Sequence, residues 1–341
     1  MKWLLIMLLC LNVFAASYTT KQHREKHAMG LTRTHKSKQF LALKKAIQKS
    51  ELALKVPKRI DLTKLVSPPE NQGQCGSCWD FGITKALRSA HMLIGKDPGR
   101  LAFNYLLNNC GPGPAQGGCN GGDFDAGESM LKNQGPWLEA QDPYTEQEGR
   151  CKSGLKVAST AMTYEIVGDG QHPPSFQQLA QAIFQKHMLV IDVAVCGDWE
   201  NYNAGIFNRN QCGPNQINHI INMNGYDCET SVDQNGDCVF NNKGEPINGD
   251  GYLIVMNNWG ANWGENGLMR TRAHMNAIAD TAMYFTVAKE PDPIPVPPVP
   301  MPPIPPAPPA PKQEIDWILV TGITLVATVI LGGLVLQFKK K

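Results

Sequence analysis

The chain has 341 residues, 32 basic against 30 acidic side chains, and a formal net charge of +2. So even a balance gives no argument for a nucleic-acid partner. The chain also carries no internal repeat, no phosphate-cradling glycine loop and no zinc-ligand spacing, which sets aside nucleotide-dependent and zinc-dependent chemistry.

In chain order, residues 1–16 read as a secretory signal peptide. Lys2 supplies the charge, residues 3–14 the apolar core, and Val13 and Ala15 the small-residue cleavage site. Such a leader predicts the secretory pathway or cell envelope, where disulfides form. Residues 17–55 are basic and free of cysteine, and Phe40, Leu43, Ile47 and Leu54 recur at helical spacing over 38–54. This stretch is a short propeptide or, alternatively, a solvated basic leader.

Residues 72–79 read Gln-Gly-Gln-Cys-Gly-Ser-Cys-Trp. A helix is predicted over 79–94, because Trp79, Ile83, Ala86, Leu87 and Ala90 share one face and Gly95 and Pro98 end it. Cys78 then lies at the positive end of a helix dipole. Unpaired N–H groups there favour a thiolate and a developing anion. Asp80, in the first turn, suits the dipole but raises the thiol pKa if it is ionised. Cys75 and Cys78 also form a C-x-x-C pair, open to a redox or metal reading. A redox motif follows a strand, however, whereas a proline-broken loop precedes this one, and no second ligand pair accompanies it.

His219 follows Cys78 by 141 positions in Asn-His-Ile-Ile-Asn-Met-Asn-Gly-Tyr (218–226). Asn257 opens Asn-Asn-Trp-Gly-Ala-Asn-Trp-Gly-Glu-Asn-Gly (257–267). A thiol nucleophile needs a base, and the base needs a third group to orient it. The order Cys, His, Asn with all three local strings present supplies those parts.

On these strings the chain resembles the papain-like cysteine peptidases of cathepsin type from about residue 56 to about residue 288. The Cys-Gly-Ser-Cys-Trp string is the family's nucleophile signature. The 257–267 string is close to the family's Asn-Ser-Trp-Gly-x-x-Trp-Gly-Glu-x-Gly. The resemblance implies Cys78 as nucleophile, His219 as base and then acid, and Asn257 as the orienter of the imidazole. It implies Gln72 as an oxyanion donor beside the Cys78 N–H, and Trp259 as the cover over the His–Asn bond. In Gly-Cys-Asn-Gly-Gly (118–122), the Gly121–Gly122 pair matches the family's substrate-backbone strip, with Asp123 and Phe124 where the specificity pocket is lined. An acid at Asp123 would favour basic or polar substrate side chains. No cofactor or metal is implied.

Of ten cysteines, Cys10 leaves with the signal and Cys78 is reserved, so an even eight remain. The resemblance implies Cys75–Cys119 and Cys110–Cys151. Cys196, Cys212, Cys228 and Cys238 allow three pairings, of which Cys196–Cys212 and Cys228–Cys238 close the shortest loops. Residues 227–250 are an insertion that carries Asn257 beyond the family's spacing window. Asp233, Asn235 and Asp237 alternate there as in a calcium loop, but Cys238 stands where its glycine belongs. A disulfide-pinned hairpin is the preferred reading.

Residues 290–314 are proline-rich, a semi-rigid spacer. Residues 315–338 form an apolar stretch of membrane-spanning length, followed by three lysines at 339–341. The expectation is a single-pass anchor with the catalytic domain outside the cytoplasm. A removable sorting tail is the alternative.

The implied fold is α+β, papain-like, with a helical subdomain, an antiparallel sheet subdomain and a cleft between them. Strands are expected over 190–195, 219–226 and 252–257. The expected activity is cysteine-type endopeptidase action on proteins or peptides. The alternatives are an inactive binding module, or a transpeptidase using the same thioester chemistry.

Overall fold

A computed structural model describes residues 28–32, 54–131 and 135–288. The readings made for 1–16, for the 38–53 part of the leader helix, and for 290–314, 315–338 and 339–341 lie outside these residues. Among the described residues, no helix is long and apolar enough to cross a membrane.

The peptidase module begins with a short strand, β1 (Arg59–Asp61). The longest helix follows, α1 (Cys78–Leu93), and one turn of helix, α2 (Asn104–Leu107). The remainder is β2 (Thr163–Ile166), helix α3 (Phe176–Phe184), β3 (Leu189–Val193), β4 (Ile206–Phe207), β5 (His219–Asp227), β6 (Tyr252–Met256), β7 (Leu268–Thr271) and β8 (Ala282–Thr286). Helix α1 contains no proline, has Asp80 in its first turn and His91 in its last, and ends before Gly95 at φ +81. Helix α3 starts at a capping box. The Ser175 hydroxyl accepts from the Gln178 N–H, and the Gln178 side chain answers to the Ser175 N–H.

The strands make one sheet in the order β2-β8-β3-β5-β6-β7-β4, with β1 on β5. Each pairing is antiparallel except β4 with β7, which run parallel. The expected antiparallel sheet thus carries one parallel pair at its edge. Strands β3, β5 and β6 are buried along their whole length, since both faces of the sheet are covered. Alternation sorts their side chains. Val190 and Ile220 join the core around α1, with Trp79, Ile83 and Leu87. Their neighbours Ile191 and Ile221 join the second core, with Phe176, Leu179 and Val255. This confirms the α+β reading and sets the start of α1 against the start of β5.

All four expected disulfides are present: Cys75–Cys119, Cys110–Cys151, Cys196–Cys212 and Cys228–Cys238. The insertion is less regular than a hairpin. It is a chain of tight turns with isolated bridges at Val232–Cys238 and Phe240–Pro246. It pairs with the start of the module, the Cys238 N–H donating to the Val56 carbonyl at 2.8 Å and the Lys58 N–H to that of Gly236 at 2.9 Å. Asp233 Oδ1 accepts from the N–H groups of Asn235 and Asp237, at 2.8 and 3.0 Å, so the alternating side chains close a turn.

Candidate active site

Cys78 is the first residue of α1, fully buried, and unpaired in any disulfide. Its Sγ accepts from the Ile220 N–H at 3.4 Å. Burial pushes the thiol up to about 11, against the backbone N–H groups of Ile220, Gly30, Trp79 and Cys78 itself, which favour the thiolate. In this arrangement the thiol is protonated at neutral pH.

His219 opens β5 and is fully buried. Asn257 stands just past β6, where Asn222 of β5 faces Met256. The imidazole Nε2 lies 2.9 Å from Asn257 Oδ1, which also accepts from the Asn258 N–H at 2.8 Å. An oxygen held by two donors requires the proton on Nε2, which leaves Nδ1 as the basic nitrogen. The Trp259 indole lies 5.1 Å from the imidazole, tilted by 31°, and covers this bond. The structure thus brings Cys78, His219, Asn257 and Trp259 together.

Gln72 is fully buried in the loop ahead of α1. Its Nε2 donates to the Cys75 carbonyl at 2.9 Å and to the Ala28 carbonyl at 2.8 Å. The loop is braced from behind. Tyr144 OH donates to the Gln72 carbonyl at 2.8 Å and meets Ser77 Oγ at 2.7 Å, while the Gln74 N–H donates to Glu146 at 2.9 Å. The Cys75–Cys119 bridge ties the same loop to the Gly118–Asn120 turn. An amide donor is therefore held still at one end of the catalytic helix.

Residues 28–32 of the leader lie across this site. The Gly122 N–H donates to the Gly30 carbonyl at 2.7 Å, and the Thr32 N–H to the Gly122 carbonyl at 3.2 Å, as a parallel bridge centred on Leu31. The Leu31 N–H donates to the Asn218 carbonyl at 3.1 Å. The Leu31 side chain packs against the core around α1 and against a small cluster of Ala194, Cys212 and Ile217. Gly122 lies flat on the Trp79 indole, where a Cβ would come within 2.5 Å of the ring. A backbone strip without a side chain is what permits the pairing.

Asp123 follows the Gly121–Gly122 pair. It is buried, and its carboxylate caps the Phe124–Met130 turn by accepting from the Asp125 N–H at 3.0 Å. One carboxylate oxygen of Asp123 is thus engaged in a local cap. Gly121, with φ +113, shapes the approach to Gly122, and Phe124 joins the core that Leu31 touches.

Two residues, Lys85 and Asn258, escape the sequence reading. A third, Asp80, reads in the sequence only as an acid in the first helical turn, one that suits the helix dipole and raises the thiol pKa if ionised. It is fully buried, and burial together with the charge of Glu139 holds its carboxyl well above the usual range, against the hydrogen bond from Thr84 Oγ1 at 2.9 Å. Burial thus favours its neutral form. Lys85 is buried, with Nζ 3.4 Å from the Asn257 carbonyl, and burial lowers its ammonium to about 7. Asn258 donates from Nδ2 to the carbonyls of Ile220 at 2.8 Å and Cys78 at 3.3 Å. Its only sequence signal is that the family string has serine at this place.

Comparison with known proteins points the same way. A family model described as papain family cysteine protease matches residues 56–286. A cathepsin L-like proteinase of Fasciola hepatica is 29% identical over 243 residues, covering 69% of this chain and 67% of the relative. A cathepsin L-like proteinase of Phaedon cochleariae is 30% identical over 224 residues, covering 64% of this chain and 62% of that relative. A solved structure of a recombinant stem bromelain precursor superposes with a TM-score of 0.54 at 28% identity, over 69% of this chain and 72% of that one. With the family match spanning most of the chain and the Cys78, His219 and Asn257 strings all inside it, the chain belongs to the papain family of cysteine proteases.

Proposed function

We propose that this chain is a cysteine-type endopeptidase, hydrolysing peptide bonds of protein or peptide substrates through a thioester on Cys78. The observation that carries the reading is the His219–Asn257 bond at 2.9 Å, set beside a free thiol at a helix N-terminus. His219 Nδ1 takes the thiol proton. The thiolate attacks the substrate carbonyl, and the oxyanion accepts from Gln72 Nε2 and the Cys78 N–H. The imidazolium then protonates the leaving amine. A water activated by the same imidazole hydrolyses the thioester. Gly122 holds the substrate backbone, as it holds residues 30–32 in this structure.

The leader from 17 to 55 acts as a propeptide. Its Ala28 carbonyl sits on the oxyanion donor and its Gly30 N–H on the thiol, so substrate and leader compete for the same groups. The peptidase domain is 56–289. The apolar stretch 315–338, followed by three lysines, favours a membrane anchor reached through the 290–314 spacer, with the enzyme in the secretory pathway or envelope on the side away from 339–341.

The test is processed enzyme with unstructured peptides and an epoxide inhibitor. One label per chain on Cys78, with loss of label and hydrolysis in Cys78→Ala, is expected. Full hydrolysis by Cys78→Ala overturns the assignment. Including an amine acceptor separates hydrolysis from transpeptidation, and a mass of the mature C-terminus tests the anchor.

A further inference from the structure

Helix α1 offers Cys78, Gly82, Lys85 and Ser89 on one stripe, at helical spacing. Each docks through a polar contact. Asn222 Nδ2 donates to the carbonyls of Gly82 at 2.9 Å and Leu189 at 3.2 Å. One turn closer to the thiol, Asn258 repeats the arrangement on Cys78 and Ile220. Ser89 Oγ accepts from the Ser67 N–H at 3.0 Å.

Asn258 differs from the rest of the stripe in what it touches. Its carboxamide joins the carbonyl of the nucleophile's own residue to the carbonyl of the residue following the base. Its backbone N–H donates to Asn257 Oδ1 at 2.8 Å, and its backbone carbonyl accepts from the Gln72 N–H at 2.8 Å. One fully buried residue thus contacts the chain at the nucleophile, at the orienter, at the oxyanion donor and directly beside the base. The side-chain bridge needs two donor hydrogens from one group. A serine has a single O–H and cannot hold both carbonyls.

We propose that Asn258 is a positioning residue that fixes the separation of Cys78 and His219 by cross-linking the Cys78 carbonyl to that of Ile220, the residue after the base. This rests on the protease reading above. The variants are Asn258→Ser, which keeps one donor, Asn258→Asp, which keeps the shape but loses both, and Asn222→Ser as the scaffold control. Processed enzyme, counted by active-site labelling so that unfolded molecules drop out, is compared in kcat, KM, melting temperature and the pH profile of Cys78 alkylation by iodoacetamide. The expected result is kcat lower by about tenfold or more in both Asn258 variants, with Asp worse than Ser and KM within about twofold. The alkylation profile shifts in both, while Asn222→Ser loses melting temperature and keeps its kcat and its profile. Asn258 variants with unchanged kcat and profile overturn the proposal, as does an Asn222→Ser loss of kcat as large as theirs. If the wild-type enzyme neither cleaves peptide nor is labelled at Cys78, the protease reading fails rather than the positioning role.

Discussion

His219 Nε2 and Asn257 Oδ1 lie 2.9 Å apart beneath the Trp259 indole, and the Asn258 N–H holds the same oxygen. Because the Trp259 indole also packs 5.1 Å from the imidazole, Asn257 orients His219 without being its sole support. Removing the base is therefore predicted to cost more than removing the orienter. His219→Ala is expected to lower kcat by about a thousandfold and Asn257→Ala by about ten- to a hundredfold. Steady-state kinetics on processed enzyme check the order. A harmless His219→Ala makes another histidine the base.

The leader segment predicts a difference in thiol reactivity. With residues 28–32 in place, the Cys78 thiol is buried and raised to about 11. In the unprocessed chain, alkylation near pH 7 is expected to be roughly a hundredfold slower than after leader removal. Gly30 supplies a variant, since a Cβ there would collide with the Gly76 carbonyl. Gly30→Val in the unprocessed chain is predicted to alkylate at close to the processed rate. Rates that do not change with processing contradict the occlusion.

Lys85 predicts a pH-dependent stability. Burial lowers its ammonium from 10.5 to about 7 in the folded protein. Between those values the unfolded chain binds the proton and the folded one does not, so this group makes stability rise with pH. Below about 7 both states are charged and the whole burial penalty remains. Lys85→Met is expected to flatten the curve between pH 7 and 10 and to stabilise by about 1–4 kcal/mol at pH 6. Urea midpoints across that range decide it, and an unchanged slope counts against the burial argument.

Asp80 predicts the opposite slope. Its raised carboxyl keeps a proton that the unfolded chain releases near the usual aspartate value, so stability from this group is greatest in acid and falls as pH rises. Asp80→Asn keeps the shape and the contact to Thr84. It is expected to be neutral or stabilising by about 1 kcal/mol at pH 7, with a flatter decline above the usual aspartate range. Thermal melts at several pH values measure this. A strongly destabilised variant means that the carboxylate is ionised and paired.

Much of the site was legible in the residues because its determinants are local. The helix over 79–94, a prolineless periodic stretch closed by glycine, appears as Cys78–Leu93. The strands expected at 219–226 and 252–257 appear as His219–Asp227 and Tyr252–Met256. Short loops and an even cysteine count pointed to the two disulfides that the family resemblance did not assign. Through the family resemblance they carry, local strings also named Cys78, His219, Asn257 and Gln72 as candidates.

What only the tertiary structure decided is everything that depends on neighbours distant in the chain. Asp80 reads as an acid beside a thiol, yet packing removes water from its carboxyl and favours the neutral form. The Asp123 carboxylate takes part in a cap on the turn that follows, a contact its place beside the glycine pair does not announce. Asn258 reads as a minor departure from a motif, yet its two N–H groups reach carbonyls 180 and 38 positions away. Residues 28–32 carry no motif, and only folding lays their carbonyls and N–H groups on Gln72, Gly122 and Cys78. Sequence determines which groups a chain owns and its local conformations. Protonation and partnership follow from dielectric and distance, which exist only once the chain has closed on itself.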